Sequence, residues 1–294
     1  MSKKRGQQNK KSATPKKSNR KLVIIIAAAA AIAAAITVAV LRSRPPEPVR
    51  ATENNAAENK PVQAQRVSYE VVASHPHDPA AFLQGLVWHD GGFYESTGQY
   101  GASSLRRVEY PSGKVVKQVK LSTDFFGEGL ALVDDRLVQL TWTTKRGFVY
   151  ERETLKQTGE FTYQNEGWGL TYDGKDLIMS DGSDRLTYLD AATYQPKRVL
   201  KVTRDGRAVM QLNELEYIEG EIWANVWHQD VILRIDPATG QVTKFIDLRG
   251  IIDPAKLGGN PEAVLNGIAY DAGARRVFVS GKLWPQIFEI RVKE

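Results

Sequence analysis

Gly129-Leu130-Ala131-Leu132-Val133-Asp134 is one of five stretches in this chain that open alike. The others are Gly85-Leu86-Val87-Trp88-His89-Asp90, Gly169-Leu170-Thr171-Tyr172-Asp173-Gly174, Glu214-Leu215-Glu216-Tyr217-Ile218-Glu219 and Gly267-Ile268-Ala269-Tyr270-Asp271-Ala272. Their starts are 44, 40, 45 and 53 residues apart. A second apolar run follows each opening, at 92–98, 136–142, 176–182, 221–227 and 276–282, and a third at 104–110, 147–153, 185–191, 231–237 and 286–292. A fourth run follows at 115–121, 157–163, 196–202 and 242–248. Short apolar or alternating runs broken by Gly, Asp, Asn and Pro specify strands, and no segment after residue 65 sustains a 3.6-residue period. The body is therefore read as all-β. Four strands per unit of about 40–50 residues predict a five-bladed β-propeller. The fifth unit stops after its third strand, so the unused strand at 67–73 is expected to complete it and close the ring without a long free edge. An open β-solenoid or a sandwich is the alternative, and it leaves 67–73 without a place.

Upstream of the repeats the composition changes twice. Residues 1–21 carry nine Lys/Arg and no acid, and from Leu22 to Val40 come 19 uncharged residues, mostly Ala, Ile and Val. That length suits one membrane-spanning helix. We read it as a signal anchor with the basic tail in the cytoplasm and the body periplasmic or otherwise extracytoplasmic; secretion after signal cleavage is the competing reading. Residues 41–65 are rich in Pro, Asn, Glu and Ala and read as a flexible linker, leaving 66–294 as the β-propeller domain. The tail and linker hold 13 of the 40 bases and 3 of the 34 acids, so 27 bases face 31 acids in the body. At −4 the body gives no support to nucleic-acid binding. The chain has no cysteine, which excludes disulfides, a thiol nucleophile and thiolate metal ligands.

In a propeller the first strand of each blade lines the central channel, and the second returns to the same mouth. The residue before each shared opening is Gln84, Glu128, Trp168, Asn213 or Asn266. Thirteen residues after each opening come Gly98, Trp142, Gly182 and Trp227, and a hairpin two residues longer brings Lys282 there in the fifth unit. Ordinary strand ends are Gly, Ser, Asp and Thr. This set has three Trp, three carboxamides, one Glu and one Lys. Read singly, each Trp packs between blades and each amide caps a turn. Read together, they make one aromatic-walled pocket with a lone carboxylate and a lone amine. Trp88, Trp223 and Trp284 fall outside these positions and are read as packing residues, and Glu166, Asp181 and Asp184 as turn residues.

Glu128 lies in Asp124-Phe125-Phe126-Gly127-Glu128-Gly129. Phe125 and Phe126 are expected to wall it, raising its pKa toward the range useful for proton transfer, and the two glycines to open its approach to substrate. Alone, the stretch also fits a surface turn. The four histidines fall on neither ring. His75-Pro76-His77-Asp78 lacks a third ligand, so no metal is assigned. No Ser-His-Asp arrangement and no P-loop stands out. What remains is acid–base chemistry by a carboxylate on a small polar substrate.

Several motifs together resemble the plant and bacterial glutamine cyclotransferases, glutaminyl-peptide cyclotransferases of the five-bladed propeller type. They are Phe82-Leu83-Gln84-Gly85-Leu86, Phe126-Gly127-Glu128-Gly129, Gln139-Leu140-Thr141-Trp142-Thr143, Glu166-Gly167-Trp168-Gly169-Leu170, Leu212-Asn213-Glu214-Leu215-Glu216, Ile222-Trp223-Ala224-Asn225-Val226-Trp227 and Leu265-Asn266-Gly267-Ile268. The resemblance covers about 67–292. It implies conversion of N-terminal glutamine on peptides or proteins to pyroglutamate with loss of ammonia, without the catalytic zinc of the unrelated animal-type enzymes. It implies Glu128 as the catalytic acid/base and Phe82, Gln84, Phe126, Trp142, Trp168, Asn213, Trp227 and Lys282 as substrate-binding residues. No cofactor is predicted; the resemblance leaves a structural calcium open. Two other functions stay open on sequence: a membrane-tethered propeller that binds peptide without turnover, and a metal-dependent hydrolase such as a lactonase.

Overall fold

The computed structural model describes residues 62–293, which lie in one unit of the chain. The expected membrane span at 22–40, and the linker apart from its last four residues, fall outside the described residues. Among the described residues no helix is long and apolar enough to cross a membrane.

The first strand, β1 (Gln65–Pro76), starts one residue before the expected edge of the domain. It is preceded by two side-chain anchors, Val62 N to Gln241 Oε1 and Ala64 N to Asp205 Oδ1, so residues 62–65 are already docked rather than free linker. Five four-stranded units follow. The first holds β2 (Leu83–His89), β3 (Gly92–Thr97), β4 (Ser104–Glu109) and β5 (Lys114–Lys120). The second holds β6 (Gly127–Val133), β7 (Arg136–Thr141), β8 (Arg146–Glu151) and β9 (Gln157–Thr162). The third holds β10 (Leu170–Tyr172), β11 (Asp176–Ser180), β12 (Arg185–Asp190) and β13 (Pro196–Lys201). A two-stranded hairpin, β14 (Thr203–Arg204) and β15 (Arg207–Ala208), stands before the fourth unit and was not foreseen from sequence. That unit holds β16 (Leu212–Ile218), β17 (Glu221–Val226), β18 (Val231–Ile235) and β19 (Val242–Asp247). The fifth holds β20 (Leu265–Asp271), β21 (Arg276–Gly281) and β22 (Gln286–Lys293), and β1 completes it.

Within each of the first four units the strands are antiparallel neighbours in chain order, and in the fifth β1 follows β22. Local sequence explains the tight corners. The β2–β3 and β16–β17 turns, Asp90-Gly91 and Glu219-Gly220, hold both residues at positive φ, as two-residue hairpins require. β1 pairs antiparallel with β22 from Ser68↔Lys293 to Pro76↔Gln286, the closure expected of 67–73. It also pairs in parallel with β19 over residues 65–67, which the repeat alone did not predict, so one strand fastens two units.

The first strands touch in a closed cycle: β2 with β6, β6 with β10, β10 with β16, β16 with β20, and β20 with β2. Five buried apolar clusters fill the five seams. Leu130 and Leu137 meet Val87 and Leu105 between the first two units, for example, and Phe278 and Ile287 meet Leu86 and Phe93 between the fifth and the first. Burial of such side chains, at about 1.5–3 kcal/mol each, holds the ring in the absence of disulfides. Trp223 and Trp284 lie in these clusters, and Trp88 stacks on Phe278 at 4.9 Å. All three are packing residues, as expected.

The repeated opening glycine has a steric cause. A Cβ on Gly85 would stand 2.6 Å from Leu130 N, one on Gly129 2.5 Å from Leu170 N, and one on Gly169 2.0 Å from Asn213 O. Each of these glycines lets one first strand press against the next. Glycines 127 and 129 therefore serve close packing beside Glu128, not substrate approach: a Cβ on Gly127 would meet Thr97 O at 2.7 Å. The fourth unit puts Glu214 where the others have Gly. Its carboxylate accepts from Leu86 N at 3.3 Å and Ile268 N at 2.9 Å, tying three first strands together.

Candidate active site

The pairing of first and second strands is irregular at the same place in four units. The register shifts between Leu83 and Gly85, Gly127 and Leu130, Leu212 and Leu215, and Leu265 and Ile268. Such bulges re-aim side chains out of the alternation of a regular strand. The residues inside them include Gln84, Glu128, Asn213 and Asn266, four of the five positions singled out by the repeat. In the third unit Trp168 precedes β10, with its N–H bonded to Ser180 O at 3.0 Å.

One cavity of about 240 Å³ gathers Phe82, Gln84, Phe126, Glu128, Trp142, Trp168, Asn213, Trp227 and Lys282. All nine residues expected to form the site are therefore brought together. Gln99 and Glu262 complete the lining and were missed. Glu262 belongs to the long β19–β20 connection, which has no counterpart in the other units and so no place in a repeat comparison. Larger clefts at the β14–β15 hairpin and along β1 contain none of the nine.

Four further expectations need correction or refinement. Asn266 does not line the cavity; it is buried behind it and donates to Leu83 O and Gln84 Oε1 at 3.0 and 3.1 Å. Phe125 turns away and packs edge-on to Phe148, so of the two only Phe126 lines the cavity with Glu128. Glu166 is more than a turn residue: its Oε2 accepts from Trp142 Nε1 at 2.6 Å and Trp168 Nε1 at 3.0 Å. His77 is a buried ion-pair partner, with Nε2 3.2 Å from Glu95 Oε1 and Nδ1 2.6 Å from Trp284 O. Burial opposes its charge, but the Glu95 carboxylate outweighs this and holds its pKa raised.

The aromatic walls interlock. Phe126 lies edge-on to Phe82 at 5.9 Å and to Trp142 at 5.7 Å, and Trp168 edge-on to Trp227 at 5.6 Å. The two glycines at returning positions make room for rings: a Cβ on Gly98 would stand 2.2 Å from Phe126, and one on Gly182 2.7 Å from Trp168. Glu128 is 5% exposed and accepts from Gln84 Nε2 at 3.0 Å. Burial pushes its pKa well above the ordinary carboxyl value; the nearby Lys282 opposes this and Glu166 adds to it. Lys282 is pulled down from the ordinary lysine value by burial, against the pull of Glu128 and Glu262. Its Nζ lies 4.9 Å from the Phe82 ring centre and 5.9 Å from that of Trp227. Asn213 Oδ1 and Trp227 Nε1 are buried without a hydrogen-bond partner, the state of groups waiting for a ligand.

The sequence model of the family described as glutamine cyclotransferase matches residues 47–292. The chain belongs to the glutamine cyclotransferase family. It is 45% identical over 231 residues to a glutaminyl-peptide cyclotransferase of Arabidopsis thaliana, covering 76% of this chain and 71% of that protein. It also superposes on the crystal structure of Myxococcus xanthus glutaminyl cyclase with a TM-score of 0.74 at 40% identity, covering 79% of this chain and 99% of that one. As a glutamine cyclotransferase family member it carries its carboxylate–amine pair in a cavity smaller than the roughly 300–1,000 Å³ usual for drug-sized ligands. That size suits a single terminal residue.

Proposed function

We propose that this protein is a glutaminyl-peptide cyclotransferase on a five-bladed β-propeller, converting the N-terminal glutamine of peptides or proteins to pyroglutamate and ammonia. The observation that carries the reading is Glu128, a buried carboxylate with raised pKa, hydrogen-bonded to Gln84 inside an aromatic cavity. The closed cycle of first strands supports the propeller.

The α-amine of the substrate attacks its own side-chain amide carbon. A new N–C bond forms, the carbonyl oxygen takes up negative charge, and collapse breaks the bond to the amide nitrogen, which leaves as ammonia. An α-amino group titrates near 7.7–8.0, so its neutral form is available at neutral pH. Glu128 accepts the proton lost by the amine and passes one to the departing nitrogen, and its raised pKa suits both transfers. The Trp and Phe walls hold the side chain curled for attack and exclude water. Glu166 occupies the indole N–H groups of Trp142 and Trp168, so Trp227 Nε1 is the indole donor left for the developing oxyanion, together with Lys282. Asn213 Oδ1 is the free acceptor for the amide NH₂.

The test is ammonia release from a Gln-initiated peptide by wild type and Glu128→Gln. A loss of about 10²–10⁴-fold in the variant is expected; equal rates would remove Glu128 from the chemistry. Peptide that binds but is recovered unchanged from wild type would instead make this a binding module. We further propose that the reaction needs no metal. Among the described residues no group of three His, Cys, Asp or Glu is arranged to hold one, and activity that vanishes on exhaustive chelation overturns this. The span at 22–40 is proposed to anchor the body outside the cytoplasm; release of the protein by alkaline extraction of membranes would count against it.

A further inference from the structure

We propose that Glu166 is a positioning residue, a clamp that fixes the indoles of Trp142 and Trp168 against each other and thereby sets the shape of the cavity. The proposal rests on the cyclotransferase reading and deepens it.

Trp142 follows β7 in the second unit, and Trp168 precedes β10 in the third. Nothing in the strand ladders links these two side chains. One carboxylate oxygen does: Glu166 Oε2 accepts from both Nε1 atoms, at 2.6 and 3.0 Å. Charge-assisted bonds of this kind are about twice as strong as neutral ones. Glu166 itself does not line the cavity. It sits on the β9–β10 connection, and that connection is fixed independently of the indoles. Gly167 N reaches Trp142 O at 3.4 Å, Asn165 Nδ2 donates to Asp181 Oδ2 at 2.9 Å, and the Tyr163 hydroxyl bonds the Thr141 carbonyl. The backbone carrying the acceptor is thus held by bonds that do not involve the indole rings.

The clamp has an electrostatic consequence. The charged groups acting on Glu128 are Lys282 from the β21–β22 turn and Glu166; Glu128 in turn acts on Tyr163, just past β9, and Glu262, from the β19–β20 connection, acts on Lys282. Glu166 is the like charge in this set, so it disfavours the ionised form of Glu128. Geometry and charge can be separated by substitution. Glu166→Gln keeps an acceptor oxygen for the indoles and removes the charge; Glu166→Ala removes both.

The experiment uses the full chain and a Gln-initiated peptide, with near-UV circular dichroism as a readout that does not depend on turnover. Glu166→Ala is expected to raise KM about tenfold, through misplacement of the walls, and to alter the tryptophan bands. Glu166→Gln is expected to keep KM and the bands near wild type and to move the acidic limb of the kcat/KM profile to lower pH. Wild-type KM, bands and pH profile in both variants overturn the proposal. If wild type releases no ammonia, the cyclotransferase reading fails on its own. The clamp is then decided by the bands alone: a change confined to Glu166→Ala upholds it, and no change in either variant overturns it.

Discussion

Gln84 donates to Glu128 Oε1 across 3.0 Å while its own carbonyl oxygen accepts from Asn266 Nδ2 at 3.1 Å. Asn266 also donates to Leu83 O. Because the Gln84 oxygen is committed to Asn266, its NH₂ must face the carboxylate. Three bulges from three units thus form one relay that ends on the proposed acid/base.

The relay can be weighed by kinetics. Gln84→Ala is expected to lower kcat/KM about 10–100-fold, the equivalent of the roughly 1.5–3 kcal/mol of a hydrogen bond to a charged group. Asn266→Ala, which touches no substrate, should lose less, in the same direction. Wild-type kcat/KM in both variants would show that the orientation of Gln84 does not matter.

The pH profile follows from the same carboxylate. Burial raises the Glu128 pKa, and Lys282 opposes that rise. As a base Glu128 must be ionised, so kcat/KM falls as pH drops through its raised pKa. Lys282→Met removes the opposing cation and should move that limb to higher pH as well as lowering the rate; Lys282→Arg should leave the limb near its wild-type position. A limb that stays fixed in Lys282→Met argues that another group titrates.

Much of this was legible in the sequence because a repeat converts position into geometry. Once five openings were aligned, Glu128 and Lys282 had to share a mouth although 154 residues separate them. Residues outside the repeat were illegible for the same reason. Glu262 lies in a connection without counterparts, and Glu166 looks like a turn residue until two indoles are seen to share its oxygen. Phe125 and Phe126 are indistinguishable by composition; they precede β6, where no strand alternation assigns one to the cavity and the other to Phe148. Asn266 shares the repeat position of the lining residues, but its depth behind Gln84 depends on the bulge, which no strand pattern announces.

Buried carboxylates should also mark the stability of the ring. Burial, reinforced by Glu216, raises the pKa of Glu214 well above the ordinary value, despite two backbone N–H donors. Glu216 is pushed up to about 8 by burial, although its side chain keeps some solvent-accessible surface, so Glu214 is the firmer probe. A raised acid binds more protons folded than unfolded above the unfolded value near 4.5. Its contribution is then full below about 4.5 and is lost as pH rises toward the folded pKa. Thermal unfolding should therefore show Tm falling with pH from about 5 upward, and Glu214→Gln should flatten that slope. Identical slopes would show that Glu214 is ionised in the fold.

The opening glycines give a steric prediction. Alanine at 169 would place its Cβ 2.0 Å from Asn213 O, a backbone atom that cannot swing aside. The strand carrying Asn213 must move, and overpacking of this kind costs about 1–3 kcal/mol or more. Gly159, on the outer strand β9, has its nearest would-be neighbour at 3.8 Å, so Gly159→Ala should be neutral or stabilising by about 0.4–1 kcal/mol. Urea unfolding of the two variants, at unchanged m, measures the contrast. Gly169→Ala should also lose cyclisation rate disproportionately, because Asn213 lines the cavity and moves with its strand. If both alanines unfold at the same urea concentration, the first strands are not pressed together as tightly as these distances require.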